Sequence, residues 1–287
     1  MLYTLLGKTG RKVSRIGFGG VPAGVKNYVE AYDPGRKDDY TEGVKAVQRA
    51  YELGVNYFDT APGYGNGMSE NIIGKALEGV PASQLFLATK FRYAEDPDLF
   101  HSLEGSLKRL KRDSVDLLQI HGDHYSPEMN EILLKKDGIL AKMVKAKEQG
   151  LVRYLGFTGE CQNPCFYQLI ETEAFEVMQV QYNLLFQHPY DPFFKSGSMY
   201  ECKKRNMGIV TMRSLTSGIF QKWMKIIRPE DDFDYSAALI QYVLSNPFVD
   251  TALLGMRSVE QVEWNVRTCM DLEHRIDLEK LHQRKVD

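Results

Sequence analysis

Cysteine is scarce in this 287-residue chain: Cys161, Cys165, Cys202 and Cys269 are the whole complement. So few thiols exclude a disulfide scaffold. The lone C-x3-C pair has no second pair at zinc-ribbon spacing and does not read as a metal site. An excess of one charge is also missing. Lys plus Arg come to 36 against 38 Asp plus Glu, a net of −2, so the basic excess of a general nucleic-acid binder is absent. No stretch approaches the roughly 18 consecutive apolar residues of a membrane span. The opening MLYTLLGKTGRK lacks the apolar run of a signal peptide. The expected setting is cytoplasmic, with no nucleic acid and no membrane as partner, as a monomer or weak homo-oligomer. Linkers and low-complexity tracts are lacking as well. With 43% hydrophobic and 26% charged residues, residues 1–287 are expected to form one globular domain of barrel size.

A dinucleotide fingerprint is lacking too. Gly17-Phe18-Gly19 leads to Pro22, and Gly63-Tyr64-Gly65 leads to Met68, where the third glycine of G-x-G-x-x-G belongs. Gly7-Lys8-Thr9 ends like a P-loop, but Leu2 stands at its leading glycine position. Neither a doubly wound dinucleotide fold nor a phosphate-binding P-loop is supported.

What the chain does contain is alternation. Strand-like runs are RIGF (15–18), NYFDT (56–60), LFLATK (85–90), VDLLQIH (115–121), RYLGFT (153–158), VMQVQY (177–182), IVTMR (209–213) and TALL (251–254). Between and after them lie helical patterns at 39–53, from Ser69 as N-cap, 97–111, 139–149, 164–173, 194–205, 235–245 and 258–268. Eight β-then-α units imply parallel strands with crossovers, and at this length a (β/α)8 TIM barrel. Leu2 to Ser14 reads as an N-terminal β-hairpin closing the bottom of the barrel, and 277–287 as a short polar helix.

In such barrels chemistry sits at the C-terminal strand ends. The second, third and fourth strands end in Asp59, Lys90 and His121, each 31 residues from the next. The turn Pro62-Gly63-Tyr64-Gly65 lifts Tyr64 over the same rim. A phenol with a pKa near 10 is a weak acid at neutral pH. A neighbouring ammonium lowers that value, so Lys90, held by Asp59, is expected to make Tyr64 a general acid for a carbonyl oxygen, with His121 fixing the oxygen's approach. His121 and His124 find no third ligand nearby, and no metal is expected. The aromatic residues Phe91, Tyr93, Tyr125, Phe220 and Trp223, with His124, are expected to wall the substrate pocket.

NYFDTAPGYG…SENIIGKAL, LFLATK, VDLLQIH and the opening GKTGRKVSRIGFGG together resemble the aldo-keto reductase superfamily, from about Tyr3 to Asn265. That resemblance implies a catalytic tetrad of Asp59, Tyr64, Lys90 and His121. It also implies a nicotinamide cofactor bound in a barrel, NADPH/NADP rather than NADH/NAD, and a small-molecule carbonyl or sugar substrate. The alternatives are an NAD(P)-dependent aldose dehydrogenase of the same fold, or a non-catalytic cofactor-sensing subunit. By motif, Gln179 matches the glutamine that holds the carboxamide. Gly255, Arg257, Ser258, Gln261 and Asn265 match the adenosine-phosphate segment, where Arg257 and the helix start at Ser258 suit a phosphate. Gly20, Val21, Met212, Arg213, Ser214, Leu215 and Gly218 complete the implied cofactor contacts. The chain departs from many relatives at three places. Thr158-Gly159-Glu160 replaces a serine-asparagine pair, with Thr158 expected in the serine's role. Met212-Arg213-Ser214-Leu215 lacks the stacking tyrosine, and Trp264 replaces a glutamate. The stretch Val21 to Lys37, with Tyr28 and Tyr32, is expected to project over the mouth as a lid on a polar carbonyl substrate.

Overall fold

A computed structural model describes residues 1–28 and 31–281. Two short strands, β1 (Tyr3–Leu5) and β2 (Lys12–Ser14), pair antiparallel, Tyr3 opposite Ser14 and Leu5 opposite Lys12. Eight more follow: β3 (Ile16–Gly19), β4 (Tyr57–Asp59), β5 (Phe86–Phe91), β6 (Val115–Ile120), β7 (Val152–Gly159), β8 (Val177–Gln181), β9 (Gly208–Met212) and β10 (Thr251–Gly255). They run parallel and close on themselves, β10 pairing with both β3 and β9. The chain is therefore the (β/α)8 barrel that its alternation implies.

Strand periodicity sorts the side chains into two cores. Phe58, Leu87, Leu118, Ile120 and Met178 point outward and are buried under the helices. Tyr57, Phe86, Ala88, Leu117 and Val177 point inward and fill the lower barrel, joined by Leu6 and Val13 from the hairpin. Continuing that phase toward the strand ends brings Asp59, Lys90, Gln119, His121 and Gln179 to the interior. The two-residue period thus converts an apolar floor into a polar ceiling along the same strands.

The hairpin covers the N-terminal strand ends. Leu6 is fully buried in the inner cluster. The Lys8 amide donates to the Asn206 carbonyl at 2.5 Å, and the Tyr154 hydroxyl donates to the Thr9 carbonyl at 3.0 Å. Gly7 has φ +44°, and a Cβ there would stand 2.2 Å from the Gly208 nitrogen. Only glycine permits so close a backbone approach.

Several expected boundaries move. Ser69 is not an N-cap: the helix runs Met68–Ala76 behind Gly67. The Ser69 hydroxyl donates instead to the Gly20 carbonyl at 2.9 Å and accepts from Thr60 at 2.8 Å. The helix expected at 194–205 is shortened to Ser198–Lys204. The amides of Phe193 and Phe194 turn back to the Asp191 carboxylate, and Gly197, at φ 111°, breaks the chain direction. Three further helices were not expected from the pattern. Val21–Gly24 lies in the first loop, and Pro127–Leu134 is capped by Ser126, whose hydroxyl accepts from the Met129 amide. Ile219–Ile227 buries no side chain. The polar tail forms a helix at Leu278–Leu281; the rest of that expectation, residues 282–287, lies outside the described residues.

Leu6→Ala opens a void where hairpin and barrel floor meet. Denaturant unfolding is expected to show a loss of about 2–5 kcal/mol. A loss below about 1 kcal/mol would mean that the hairpin does not plug the floor.

Candidate active site

The C-terminal strand ends enclose a cavity of about 1180 Å³. Its floor holds the four strand-end groups. Lys90 and Asp59, 1% and 2% exposed, form an ion pair with Nζ 2.6 Å from Oδ2. Lys90 donates a second bond to the Thr60 carbonyl at 2.9 Å. Burial acts to strip Lys90 of its proton, but Asp59 and Tyr64 outweigh it and hold the ammonium above its ordinary range.

Tyr64 arches over the pair from the turn after β4. Lys90 Nζ lies 4.7 Å from its ring centre, and the His121 ring meets it edge-on at 5.5 Å. The net lowering of the phenol expected from Lys90 is not found. Burial is the larger effect and raises Tyr64 above its ordinary value, Lys90 pulling down and Asp59 pushing up. The phenol therefore keeps its proton at rest. Burial, with the Lys90 and Arg92 charges, depresses the His121 imidazole to about 2. It is neutral throughout the working pH range.

One polar group in this floor was not foreseen. Gln119, on β6 beside Lys90 on β5, is fully buried and donates to Asp59 and to Gln179. Its inward phase, two residues before His121, is the signal that would have found it.

Most of the residues implied for a cofactor surround the same cavity. Val21, Thr158, Gln179, Met212, Arg213, Ser214, Leu215, Gly218, Gly255, Arg257, Gln261 and Asn265 line it, as does Trp264. Gly20 and Ser258 do not. A Cβ at Gly20 would meet Ser69 Oγ at 2.4 Å and the Asp59 carbonyl at 2.8 Å, so Gly20 serves a close approach between loop and helix. Ser258 caps the helix Val259–Met270, accepting from the Gln261 amide at 3.3 Å, while the Gln261 side chain accepts from the Arg257 amide. Two amides of that helix start are thus already engaged. Thr158 is also occupied: its hydroxyl donates to the Gly122 carbonyl and accepts from the Gly122 amide. Thr158 steadies the loop after His121, and its one donor is not turned to a ligand.

The wall differs from the expected aromatic one. Phe91 is in the outer core, and Tyr125 is buried with its hydroxyl on the Thr158 carbonyl at 2.7 Å. Tyr93, His124, Phe220 and Trp223 do not reach the cavity. Charged groups stand there instead. Arg92 lies 2.7 Å from Asp123 and 3.8 Å from Glu95. Arg213 bridges to Glu160 at 2.5 Å across the end of β8. Arg213, Thr216 and Ser217 all take positive φ, near 55°. Such strain in non-glycine residues concentrates at functional loops. In the expected lid, Tyr28 lines the cavity, but Tyr32 is buried and its hydroxyl donates to the Ala23 carbonyl. The Arg257 guanidinium rests 4.9 Å over the Tyr32 ring. Val29 and Glu30 of this stretch lie outside the described residues.

A family model described as the aldo/keto reductase family matches residues 15–235. L-galactose dehydrogenase of Arabidopsis thaliana is 30% identical, over 93% of this chain and 88% of its own length. Among solved structures, the thermostable aldo-keto reductase Tm1743, in complex with the inhibitor epalrestat, superposes at a TM-score of 0.75 with 26% identity, covering 98% of this chain and 97% of that one. An aldo-keto reductase of Klebsiella pneumoniae in complex with NADPH superposes at 0.72 with 20% identity, covering 100% and 98%. The chain belongs to the aldo/keto reductase family and is an oxidoreductase of that family. No helix among the described residues is long and apolar enough to cross a membrane.

The depressed imidazole gives a direct test. Followed by NMR between pH 5 and 8, the His121 ring signals are expected to stay at their neutral positions. A titration inside that window would show that water and counter-charge reach the ring.

Proposed function

We propose that this protein interconverts a carbonyl compound and an alcohol with NADP(H), Tyr64 giving its proton in reduction and taking it back in oxidation. The observation that carries this is the packing of a protonated phenol against a buried ammonium and a neutral imidazole on one cavity floor. The cavity suits the cofactor. Its volume exceeds the usual 300–1,000 Å³ of small-ligand pockets. It offers an amide at Gln179, and its lining also holds the cations Lys222, Arg257 and Arg267. Gln221 Oε1, in the same wall, is buried with no partner among the described residues.

Bound there, the nicotinamide supplies the hydride. The chain does the rest. His121, neutral, donates a hydrogen bond to the substrate oxygen and holds it at the Tyr64 hydroxyl. As negative charge grows on that oxygen, Tyr64 passes its proton across, and the Lys90 ammonium stabilises the phenolate left behind. Asp59 keeps Lys90 charged and in place.

The rim supports a polar substrate. Carboxylates of Asp123, Glu95 and Glu160 accept hydrogen bonds from hydroxyl groups, and Arg92 and Arg213 donate them. With few aromatic faces in the wall, an aryl aldehyde finds little to pack on. The substrate read from this is a polyhydroxylated carbonyl compound or aldose, in keeping with the name of the Arabidopsis relative.

Tyr64→Phe is expected to lower turnover about 10²-fold or more while NADPH binding stays near wild type. Wild-type turnover in that variant would mean another group carries the proton. In a screen with NADP and NADPH, aldoses and hydroxy-carbonyl compounds should outperform aryl aldehydes; the opposite ranking would remove the polyol reading. Arg257→Ala should weaken NADPH by about 1–3 kcal/mol and barely change NADH, because only the 2′-phosphate distinguishes them. Equal losses would place Arg257 against a shared part of the cofactor.

A further inference from the structure

The mechanism above leaves Gln119 without a task, although it is fully buried between two groups that have one. Its Nε2 donates to Asp59 Oδ1 at 3.2 Å and to Gln179 Oε1 at 3.1 Å. Its own Oε1 is buried with no partner among the described residues. A buried carbonyl oxygen left unsatisfied is costly. The reversed amide would be worse, since it would set Oε1 against a carboxylate and against another amide oxygen, two contacts between acceptors. Burial pushes the Asp59 carboxyl up, and Lys90 at 2.6 Å opposes it as the partner of the carboxylate; that carboxylate therefore dictates which way the Gln119 amide faces.

The orientation passes on. Gln119 occupies the acceptor end of Gln179, so the donor end of Gln179 must face the other way. There its Nε2 meets the Met212 sulfur at 3.6 Å, a weak acceptor on the cavity wall. Gln179 also lies near enough to Asp59 to help hold its carboxylate ionised, but the acceptor that its Nε2 meets in hydrogen-bond geometry is the thioether, and so weak an acceptor leaves the donor ready for a carbonyl oxygen.

We infer that Gln119 is a positioning residue: it relays the Asp59 charge to Gln179 and fixes Gln179 as a hydrogen-bond donor to a carbonyl oxygen of the bound ligand. Resting on the nicotinamide reading above, that oxygen belongs to the ring carboxamide. The proton-donating floor and the ligand anchor then form one hydrogen-bonded unit, Lys90–Asp59–Gln119–Gln179, running from β5 through β4 and β6 to β8. Removal of Gln119 frees Gln179 to turn over and offer its oxygen instead.

A double-mutant cycle on binding alone tests this. Wild type, Gln119→Met, Gln179→Met and the double variant are titrated with NADPH without substrate, following protein fluorescence, since Trp264 lines the cavity. Methionine keeps nearly the volume and removes the amide. Circular dichroism and thermal melts confirm that each variant is folded. Each single variant is expected to bind about tenfold more weakly. The double variant should match Gln179→Met within about twofold, because Gln119 acts through Gln179. Should Gln119→Met not fold, Gln119→Leu, which also removes the amide and adds no charge beside Asp59, is read in the same way against Gln179→Met.

Unchanged binding in Gln119→Met overturns the inference, as do losses that multiply to about a hundredfold in the double variant, which is what a merely structural glutamine would give. A wild-type protein that does not bind NADPH overturns the nicotinamide reading, and the inference with it. Wild-type binding together with multiplicative losses overturns the inference alone.

Discussion

A salt bridge closed inside the barrel, Lys90 to Asp59 at 2.6 Å, is the contact on which the rest of the site depends. It is not a bargain in stability. The cost of taking both charges out of water approaches their mutual attraction, and replacing such pairs with apolar groups often leaves a protein as stable or more so. Its consequence is directional. An ammonium fixed at this depth faces the Tyr64 ring and adds to the burial that keeps the neighbouring imidazole neutral. A carboxylate fixed beside it orders the amide of Gln119, and through it the amide of Gln179. Two opposite charges thus order two amides and, beneath the larger effect of burial, bias the protonation of Tyr64 and His121.

Above that floor the cavity has two characters. The side over β5, β6 and β7 carries paired charges, with Arg92 between Asp123 and Glu95, and Glu160 tied to Arg213. Groups held in such pairs neutralise one another's charge and keep lone pairs and N–H groups free for further hydrogen bonds. The side toward β10 presents cations and the flank of the helix Val259–Met270. The loop after β9 spans both, with Arg213, Thr216 and Ser217 in left-handed backbone conformations that only surrounding packing can maintain. A strained connection at that point gives this segment a defined shape.

Much of this was written in the order of residues. Alternating strand and helix patterns implied the closed parallel barrel, because parallel neighbours need crossovers and eight such units at this length leave few alternatives. The 31-residue spacing from Asp59 to Lys90 and on to His121 placed three side chains on adjacent strand ends, since one β-α unit advances one position around the barrel. The inward phase of each strand was readable too. Tyr57, Phe86 and Leu117 lie two or four residues before the polar groups they share a face with, and the same count would have found Gln119.

Tertiary structure decided what local order cannot carry. Whether a side chain near a strand end looks into the cavity or into the wall depends on neighbours distant in sequence. Tyr125 and Phe91 have the composition of a pocket lining but are drawn into the outer core by Phe166 and the helices. Thr158 has a hydroxyl in the right place and spends it on Gly122. Ser258 and Ser69, both plausible caps, diverge because only one meets a free amide, the other finding Gly20 and Thr60 across the loop. The sign of a pKa shift is likewise a property of the assembled site. Adjacency of Lys90 and Tyr64 predicts a lowered phenol, whereas burial, which sums over every atom that excludes water, raises it. Pattern and spacing determined which groups meet; the desolvation and hydrogen-bond competition at the meeting point, which exist only once the barrel has closed, decided what each group does there.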